Sequence, residues 1–165
     1  MLSLDGNRAF VLCRQGITGH VYHTKNVWVT WQKSELRSWL NTYFLNHAFT
    51  QDEQALILET TVTNPAHPSY HLDAEPDTLD RIFLLSMEEA QTLLDPLDGV
   101  SFPYTSSTVR KQDGKASWWL RTKGERQNQA AIIRADGVPD ISYVNNNRNV
   151  VRPCMVIDTD LLPMQ

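Results

Sequence analysis

Two adjacent tryptophans, Trp118 and Trp119, place the tightest constraint on how this chain can fold. They lie in the run Ser117–Arg121, which we expect to form a strand because aromatic residues are enriched in strands. Successive side chains of a strand point to opposite faces, so the two indoles cannot share one side of a sheet. The doublet therefore predicts one ring in the core and the other either facing outward beside Arg121 or lying under a loop. An exposed aromatic ring next to a guanidinium is a common composition of binding surfaces.

Length and composition are those of one ordinary globular domain. The chain has 165 residues, of which 41% are hydrophobic and 21% are charged. We expect a single domain over residues 1–165, because a chain of this length rarely supports two independent cores. The net charge of −4 and the absence of any lysine or arginine run argue against a nucleic-acid partner.

The sequence offers no signal for a membrane or for secretion. Residues 1–8 lack the basic start and the following apolar run of a signal peptide. No segment approaches the roughly 18 apolar residues that a membrane span needs. We therefore expect no membrane partner, and a cytoplasmic location is the default expectation.

Helices are predicted in the first half of the chain by caps and by apolar spacing. Ser34 can cap a helix, and one buried stripe is predicted along it at Leu36, Trp39, Leu40, Tyr43 and Phe44. Capping boxes at Thr50 and Ser86 predict two more helices, the first reaching about Leu58 and the second ending before Pro96.

Strands are predicted on both sides of these helices. Before them we expect strands at 9–13 and 27–31, and between them a surface loop over 64–77 and a strand at 81–85 that is buried on both faces. From Val100 onward the chain is predicted to be all-β, with a hairpin at Asp136-Gly137, an edge strand after Pro139 and a last apolar run over 150–157. The order indicates an α+β domain whose helices pack on a mainly antiparallel sheet.

Four ordered motifs give the chain a family resemblance. They are W-x-x-S-x-L-R-x-W-L-N over 31–41, F-L-L-S over 83–86, W-W-L-R over 118–121 and V-R-P over 151–153. With these motifs the chain resembles the bacterial Domain of Unknown Function family 6273 from about Ala9 to Ile157. The resemblance implies a C-type-lectin-like fold, with two or three helices on a twisted sheet, and a bacterial or phage origin. Members usually carry a further β segment before the strand at 9–13, so we expect a chain truncated at its start, or part of a larger polypeptide or assembly.

Cysteines and histidines suggest no cofactor or metal centre. Cys13 and Cys154 lie in apolar runs and are interpreted as buried thiols, which could form a bridge if the terminal strands pair. The pairs His20-x-x-His23 and His67-x-x-x-His71 have spacings that a metal could use, but no cysteine or carboxylate completes either set. Glu75-Pro76-Asp77 is similar to a calcium-lectin signature but lacks its companion motif, and we interpret it as a turn.

We interpret the chain as a non-catalytic module that binds a glycan or a protein. The candidate ligand-binding residues are Trp118, Trp119, Arg121, Asn145, Asn147 and Arg148. The loops 123–128 and 145–149 would complete the same face. Two alternatives stay open, namely a purely structural domain and a degenerate relative of formylglycine-generating enzymes. For Arg37, Arg121 and Arg152 the competing interpretation is that they anchor loops through carboxylates or carbonyls.

Overall fold

Short helices occupy part of the first 93 residues, and strands carry most of the remaining architecture. A computed structural model describes residues 1–70 and 72–162. The helices are α1 (Glu35–Trp39), α2 (Leu45–Ala48), α3 (Gln51–Leu56) and α4 (Met87–Leu93), with a π-helical segment (Leu40–Phe44) joining α1 to α2 and a 3₁₀ turn at Trp31–Lys33. All three predicted caps form: Ser34 Oγ accepts from the Arg37 amide at 3.1 Å, and both capping boxes are complete.

The π-helical segment changes which residues of the first helical stretch are buried. Leu36, Leu40 and Leu45 are buried, so the spacing is four residues and then five. A π-helical turn bonds each carbonyl to the amide five residues on, so the helix face advances by one extra residue. As a result Tyr43 lies 56% exposed, and the prediction that it belongs to the buried stripe is wrong.

Strands form four small sheets within the described residues. Their bounds are β1 Ser3–Asp5, β2 Arg8–Leu12, β3 Thr18–Gly19, β4 Thr60–Asn64, β5 Glu75–Asp80, β6 Val100–Ser101, β7 Lys111–Gln112, β8 Lys115–Ala116, β9 Trp118–Lys123, β10 Gln129–Ile133, β11 Pro139–Tyr143, β12 Val150–Val151 and β13 Cys154–Asp158. The strand orders are β1-β2-β13, β11-β10-β9-β12-β3, β4-β5 and β6-β8-β7. The expected α+β class with mainly antiparallel sheets is confirmed.

The two ends of the chain are joined by the pairing of β2 with β13. Leu12 lies opposite Cys154, so these two side chains share one face of the sheet. Cys13 follows Leu12 and therefore points to the other face. The expected side-by-side strands are present, yet the register keeps the cysteines apart and both are free. Burial raises the pKa of each thiol, most strongly for Cys154.

The five-stranded sheet holds β9 at its centre. The β10–β11 hairpin turns at Gly137, whose φ of +84° only glycine adopts without strain, and Pro139 lies on the edge strand β11 as predicted. Every residue of β9 from Trp118 to Thr122 is buried. The core therefore covers both faces of this strand rather than one.

Two predicted strands are absent, and the reason differs between them. Residues 27–30 are irregular because the chain turns there to meet the loop at Gln127, whose carbonyl accepts from the Val29 amide at 3.3 Å. The segment 81–85 is buried as expected but makes a single bridge, Phe83 to Cys154. The motif at 75–77 begins strand β5 and is not a turn.

Side chains replace a strand partner along the segment 81–85. Asn41 Oδ1 accepts from the amides of Arg81 and Ile82 at 2.8 and 3.1 Å. Its Nδ2 donates to the Ile82 carbonyl at 2.8 Å and to the Arg37 carbonyl at 3.1 Å. One amide side chain thus fastens the helical stretch to the segment that carries Phe83.

We predict that Asn41→Ala lowers the free energy of unfolding by about 2–3 kcal/mol, because it leaves several buried backbone groups without partners. The matched control is Asn46→Ala, whose amide donates only to the Thr42 carbonyl on the exposed side of the same helical stretch. The control is expected to change stability by less than about 0.5 kcal/mol. Urea unfolding measures both variants, and equal losses would contradict the role given to Asn41.

Candidate functional site

Both tryptophans of the doublet are buried, so neither ring faces outward and only the alternative of a ring under a loop agrees with the structure. The two rings do leave β9 on opposite sides, but a different loop covers each of them. The Trp118 indole donates to the Asp98 carbonyl at 3.0 Å and lies 4.9 Å from the Arg152 guanidinium carbon. The Trp119 indole donates to the His20 carbonyl at 2.8 Å. Alternation holds, but it does not expose a side chain on a strand that is covered on both faces.

Arg121 is an internal anchor and is not displayed for a ligand. Its side chain is 1% exposed, and its five N–H groups are all used. Two of them donate to Glu89 at 2.5 and 2.8 Å, and one donates to the Leu84 carbonyl at 2.6 Å. The remaining two donate to the Thr63 carbonyl at 2.8 and 3.1 Å. The interpretation of Arg121 as a loop anchor is therefore the one that fits.

The asparagine-rich turn lies on the surface and adjoins the loop at 124–128. Asn145, Asn147 and Arg148 are exposed. The Val144 amide donates to the Asn128 carbonyl at 3.1 Å, and the His23 amide donates to the Val144 carbonyl at 2.9 Å. The structure thus brings together the two loops that we expected to share a face, and it adds a third loop at 20–28.

The third loop contributes Trp28, a site residue that the sequence analysis missed. Its side chain is 66% exposed and lines a groove of about 260 Å³. We call this cavity the Trp28 groove, and its other lining residues are Leu72, Asp73, Lys123, Gly124, Glu125, Arg126 and Gln127. The polar run His23–Asn26 before the tryptophan is a turn composition, and it was the signal against a strand over 27–31.

The groove combines one aromatic face with charges of both signs. Lys123 and Arg126 are positive, Asp73 and Glu125 are negative, and none of the four forms an ion pair with another described residue. These side chains therefore keep their hydrogen-bonding groups available to a bound molecule. An indole ring supplies a large apolar face for the same molecule.

Glu75 is a nearly buried carboxylate close to Lys123 of this groove. Its Oε2 accepts from the Trp31 amide at 2.8 Å, while Oε1 is buried without a partner among the described residues. Burial raises the pKa of Glu75, and this effect outweighs the opposing contributions of the Trp31 amide and the Lys123 charge. The charged form of Glu75 is thus less stable in the folded chain than in the unfolded chain.

The histidines that the structure describes have no set of further metal ligands beside them. No group of three histidine, cysteine, aspartate or glutamate side chains there could hold an ion. His20 and His23 lie half-buried in the loop beside the groove. His67 is buried, and His71 lies outside the described residues.

A family model described as a domain of unknown function, DUF6273, matches residues 6–159. The chain belongs to the DUF6273 family. The resemblance expected from the four motifs is confirmed at the level of the family. No curated protein and no solved structure matches this DUF6273 chain significantly. None of its helices within residues 1–70 and 72–162 is both long and apolar enough to cross a bilayer.

We predict that Glu89→Gln lowers the free energy of unfolding of this DUF6273 domain by about 3 kcal/mol, because it leaves the buried Arg121 guanidinium without a counter-charge. Glutamine keeps one side-chain oxygen for the Ser86 amide, so the capping box can remain, while Arg121 loses both the charge and one of the two acceptor atoms that Glu89 supplies. Glu88→Gln, on the exposed face of the same helical turn, is the matched control and should differ from wild type by less than about 0.5 kcal/mol. Similar urea midpoints for the two variants would contradict the anchoring role.

We predict that Glu75→Gln is more stable than the wild type at pH 7 and about equally stable at pH 4. The pKa of Glu75 is higher in the folded chain than in the unfolded chain. The stability that this difference contributes is therefore complete at a pH below the unfolded-state pKa, and it is lost as the pH rises through the folded-state pKa. Glutamine carries no charge and so escapes this loss, while it still accepts from the Trp31 amide. Urea unfolding at pH 4, 5.5 and 7 measures the difference, with Asp77→Asn on the exposed side of β5 as the control. A difference that does not grow with pH would contradict the assignment.

Proposed function

We propose that this domain is a non-catalytic glycan-binding module and that the Trp28 groove is its primary subsite. One observation carries the proposal, namely an indole that is 66% exposed and lines a groove whose charged side chains form no ion pair with another described residue. Isolated exposed apolar residues are ordinary, but an exposed tryptophan next to a concave polar surface is the composition of a binding hot spot. The groove volume of about 260 Å³ suits one sugar ring better than a larger drug-sized ligand.

The balance of charge in the groove favours a polyol over an ionic ligand. Two cationic and two anionic side chains line the cavity, so neither a strongly acidic nor a strongly basic molecule gains a net attraction. Each sugar hydroxyl both donates and accepts hydrogen bonds, and it can pair with either kind of side chain. The C–H face of the ring would lie on the Trp28 indole.

The asparagine-rich turn would extend this face to further sugar units. Asn145, Asn147 and Arg148 are exposed, and their loop is hydrogen-bonded to the loop that forms one wall of the groove. Amide and guanidinium groups are suited to hydrogen-bond hydroxyls. These three residues keep the ligand-binding role expected from the sequence, whereas Trp118, Trp119 and Arg121 act in this proposal as the scaffold beneath.

The same proposal assigns the domain a C-type-lectin-like fold. The support is the order of its late elements: a tryptophan-rich strand β9, the β10–β11 hairpin, and a closing strand β13 that returns to pair with β2. A fold of this kind does not by itself define a function, so the ligand is argued from the groove alone.

A catalytic alternative of the formylglycine-generating kind is disfavoured by the cysteines. That chemistry would need a reactive cysteine pair, and Cys13 and Cys154 point to opposite faces of one sheet. Burial raises the pKa of both thiols, which lowers the thiolate fraction at neutral pH. No other observation favours an enzyme.

We predict that the domain selects defined oligosaccharides on a glycan array and that Trp28→Ala weakens the strongest hit by about tenfold or more, because stacking on the indole is lost. Tyr43→Ala is the matched control, since Tyr43 is 56% exposed but does not line the groove. The control should bind within about twofold of wild type. Binding should persist in a chelator, because the groove residues act without an ion.

Isothermal titration calorimetry with the selected oligosaccharide measures each variant. Equal affinity for wild type and Trp28→Ala would place the ligand elsewhere and overturn the assignment of the groove. The absence of any array hit, together with saturable binding of a protein ligand that Trp28→Ala abolishes, would overturn the glycan class and leave a protein-binding module in its place.

A further inference from the structure

A second cavity of about 250 Å³ lies between strand β4 and the sheet formed by the two ends of the chain. We call it the β4 groove, and its lining residues are Ser3, Asp5, Arg8, Phe10, Thr60, Thr61, Val62, Thr63, Phe83, Glu89 and Val156. It shares no residue with the Trp28 groove, so an inference from it stands apart from the proposed function.

The cavity follows the edge of β4 and not one of its faces. All four consecutive residues from Thr60 to Thr63 line it. Because consecutive side chains point to opposite faces, a cavity touches all four only along the backbone edge. The hairpin gives β4 a strand neighbour, β5, on one side. The groove therefore runs beside the other edge, which pairs with no strand of the described residues, over a length of about 10–13 Å.

The hydrogen bonds around the hairpin show which backbone groups face the groove. Thr61 lies opposite Leu79, and the Leu79 carbonyl accepts from Arg37 on the outer side of β5 at 3.0 Å. A residue whose carbonyl points outward belongs to a non-hydrogen-bonded pair of an antiparallel ladder. The N–H and C=O of Thr61 accordingly point away from β5, toward the groove. The next carbonyl on that edge, at Thr63, is occupied by Arg121.

The side of the groove that faces β4 is apolar, and we call it the Phe10–Phe83 floor. Phe10 and Phe83 stack with their ring centres 5.9 Å apart, and Val156 lies directly across the sheet from Phe10. Ser3 is the partner of Phe10 on the other side, so these side chains share one face. An extended segment along β4 would direct alternate side chains toward this floor.

Over Thr60–Val62, the open edge of β4 has none of the usual sequence protections. Its sequence Thr60–Asn64 has no charge and no proline, and four of its five residues are β-branched. Exposed edges of monomeric proteins are commonly blocked by lysine, proline or a bulge. The bulge that β4 does have lies beyond Val62, where the Arg121 anchor begins.

We propose that the β4 groove binds an extended peptide segment of a partner protein, which adds a strand to the edge at Thr61. The partner's backbone would donate to the Thr61 carbonyl and accept from the Thr61 amide, and one apolar side chain would rest on the Phe10–Phe83 floor. Strand addition of this kind takes its affinity from main-chain hydrogen bonds and its selectivity from pockets for alternate side chains.

The test uses a displayed library of random nonapeptides, selected on the full chain, and a synthetic peptide from the most enriched clone. Thr61→Pro removes the amide that faces the groove while it leaves the β5 ladder intact, because proline is tolerated on an edge strand. This variant should lower the affinity for the peptide by about tenfold. Thr61→Val keeps the amide, so its affinity should stay within about twofold of wild type. Phe10→Ala should lower the affinity for the peptide while the contact with Thr61 remains.

Hydrogen exchange of the wild-type chain gives a readout that needs no variant. The Thr61 amide should exchange quickly in the free domain and become protected when the peptide is present, while the Val62 amide stays protected in both. Protection of Thr61 in the free monomer, or equal peptide affinity for Thr61→Pro and wild type, would overturn the proposal. Protection that appears only in a dimer detected by ultracentrifugation would also overturn it, because the occupant would then be a second copy. Glycan binding at Trp28 is measured separately, so either proposal can fail without the other.

Discussion

The contact of the buried Arg121 guanidinium with the half-buried Glu89 carboxylate is the constraint on which the rest of the structure depends. The guanidinium joins the central strand β9 to α4 through Glu89, to the segment 81–85 through the Leu84 carbonyl, and to β4 through the Thr63 carbonyl. A buried ion pair contributes little net stability compared with apolar residues of equal volume. The contact acts here by fixing positions. The five N–H donors of the guanidinium have a rigid geometry, so all of them find acceptors only when these four elements are correctly placed.

A second carboxylate, which is fully buried, performs the same task on the other side of the hairpin. Asp80 is 1% exposed and accepts from Arg37 Nε at 2.6 Å, from the Trp31 indole at 3.0 Å and from Thr78 Oγ1 at 2.7 Å. The β4–β5 hairpin is thus fixed by Arg121 at one strand and by Arg37 at the other. Side-chain hydrogen bonds orient this hairpin where longer sheets would use further strands.

Local signals in the sequence predict local structure well in this chain. The capping residues Ser34, Thr50 and Ser86 each begin a helix, and the Asp136-Gly137 turn forms its hairpin, because the interactions that decide these features lie within a few residues. The family could also be predicted from the sequence, because its motifs are short runs of consecutive residues. The buried state of segment 81–85 was visible in its composition, but its lack of strand pairing depends on Asn41 and Arg121, which lie far away in sequence.

The candidate site was harder to predict because exposure is a property of the assembled fold. Alternation told correctly that Trp118 and Trp119 leave β9 on opposite sides, but not that loops at Asp98 and His20 would cover both. For Trp28 the error is the opposite one. A strand was predicted at 27–31, but the backbone at 27–30 is irregular and leaves the Trp28 ring exposed.

The proposed binding face is built on turns, and this has a physical consequence for how the sequence of this domain can vary. The side chains of Trp28, Glu125 and Arg148 are exposed and make no hydrogen bond to another side chain of the described residues. Their replacement therefore leaves the core contacts of Arg121 and Trp119 untouched, because those contacts lie within and beneath β9. Recognition residues on loops above a rigid scaffold can vary at little cost in stability. The same separation explains why the sequence reveals the scaffold through its motifs and leaves the ligand to be argued from the surface.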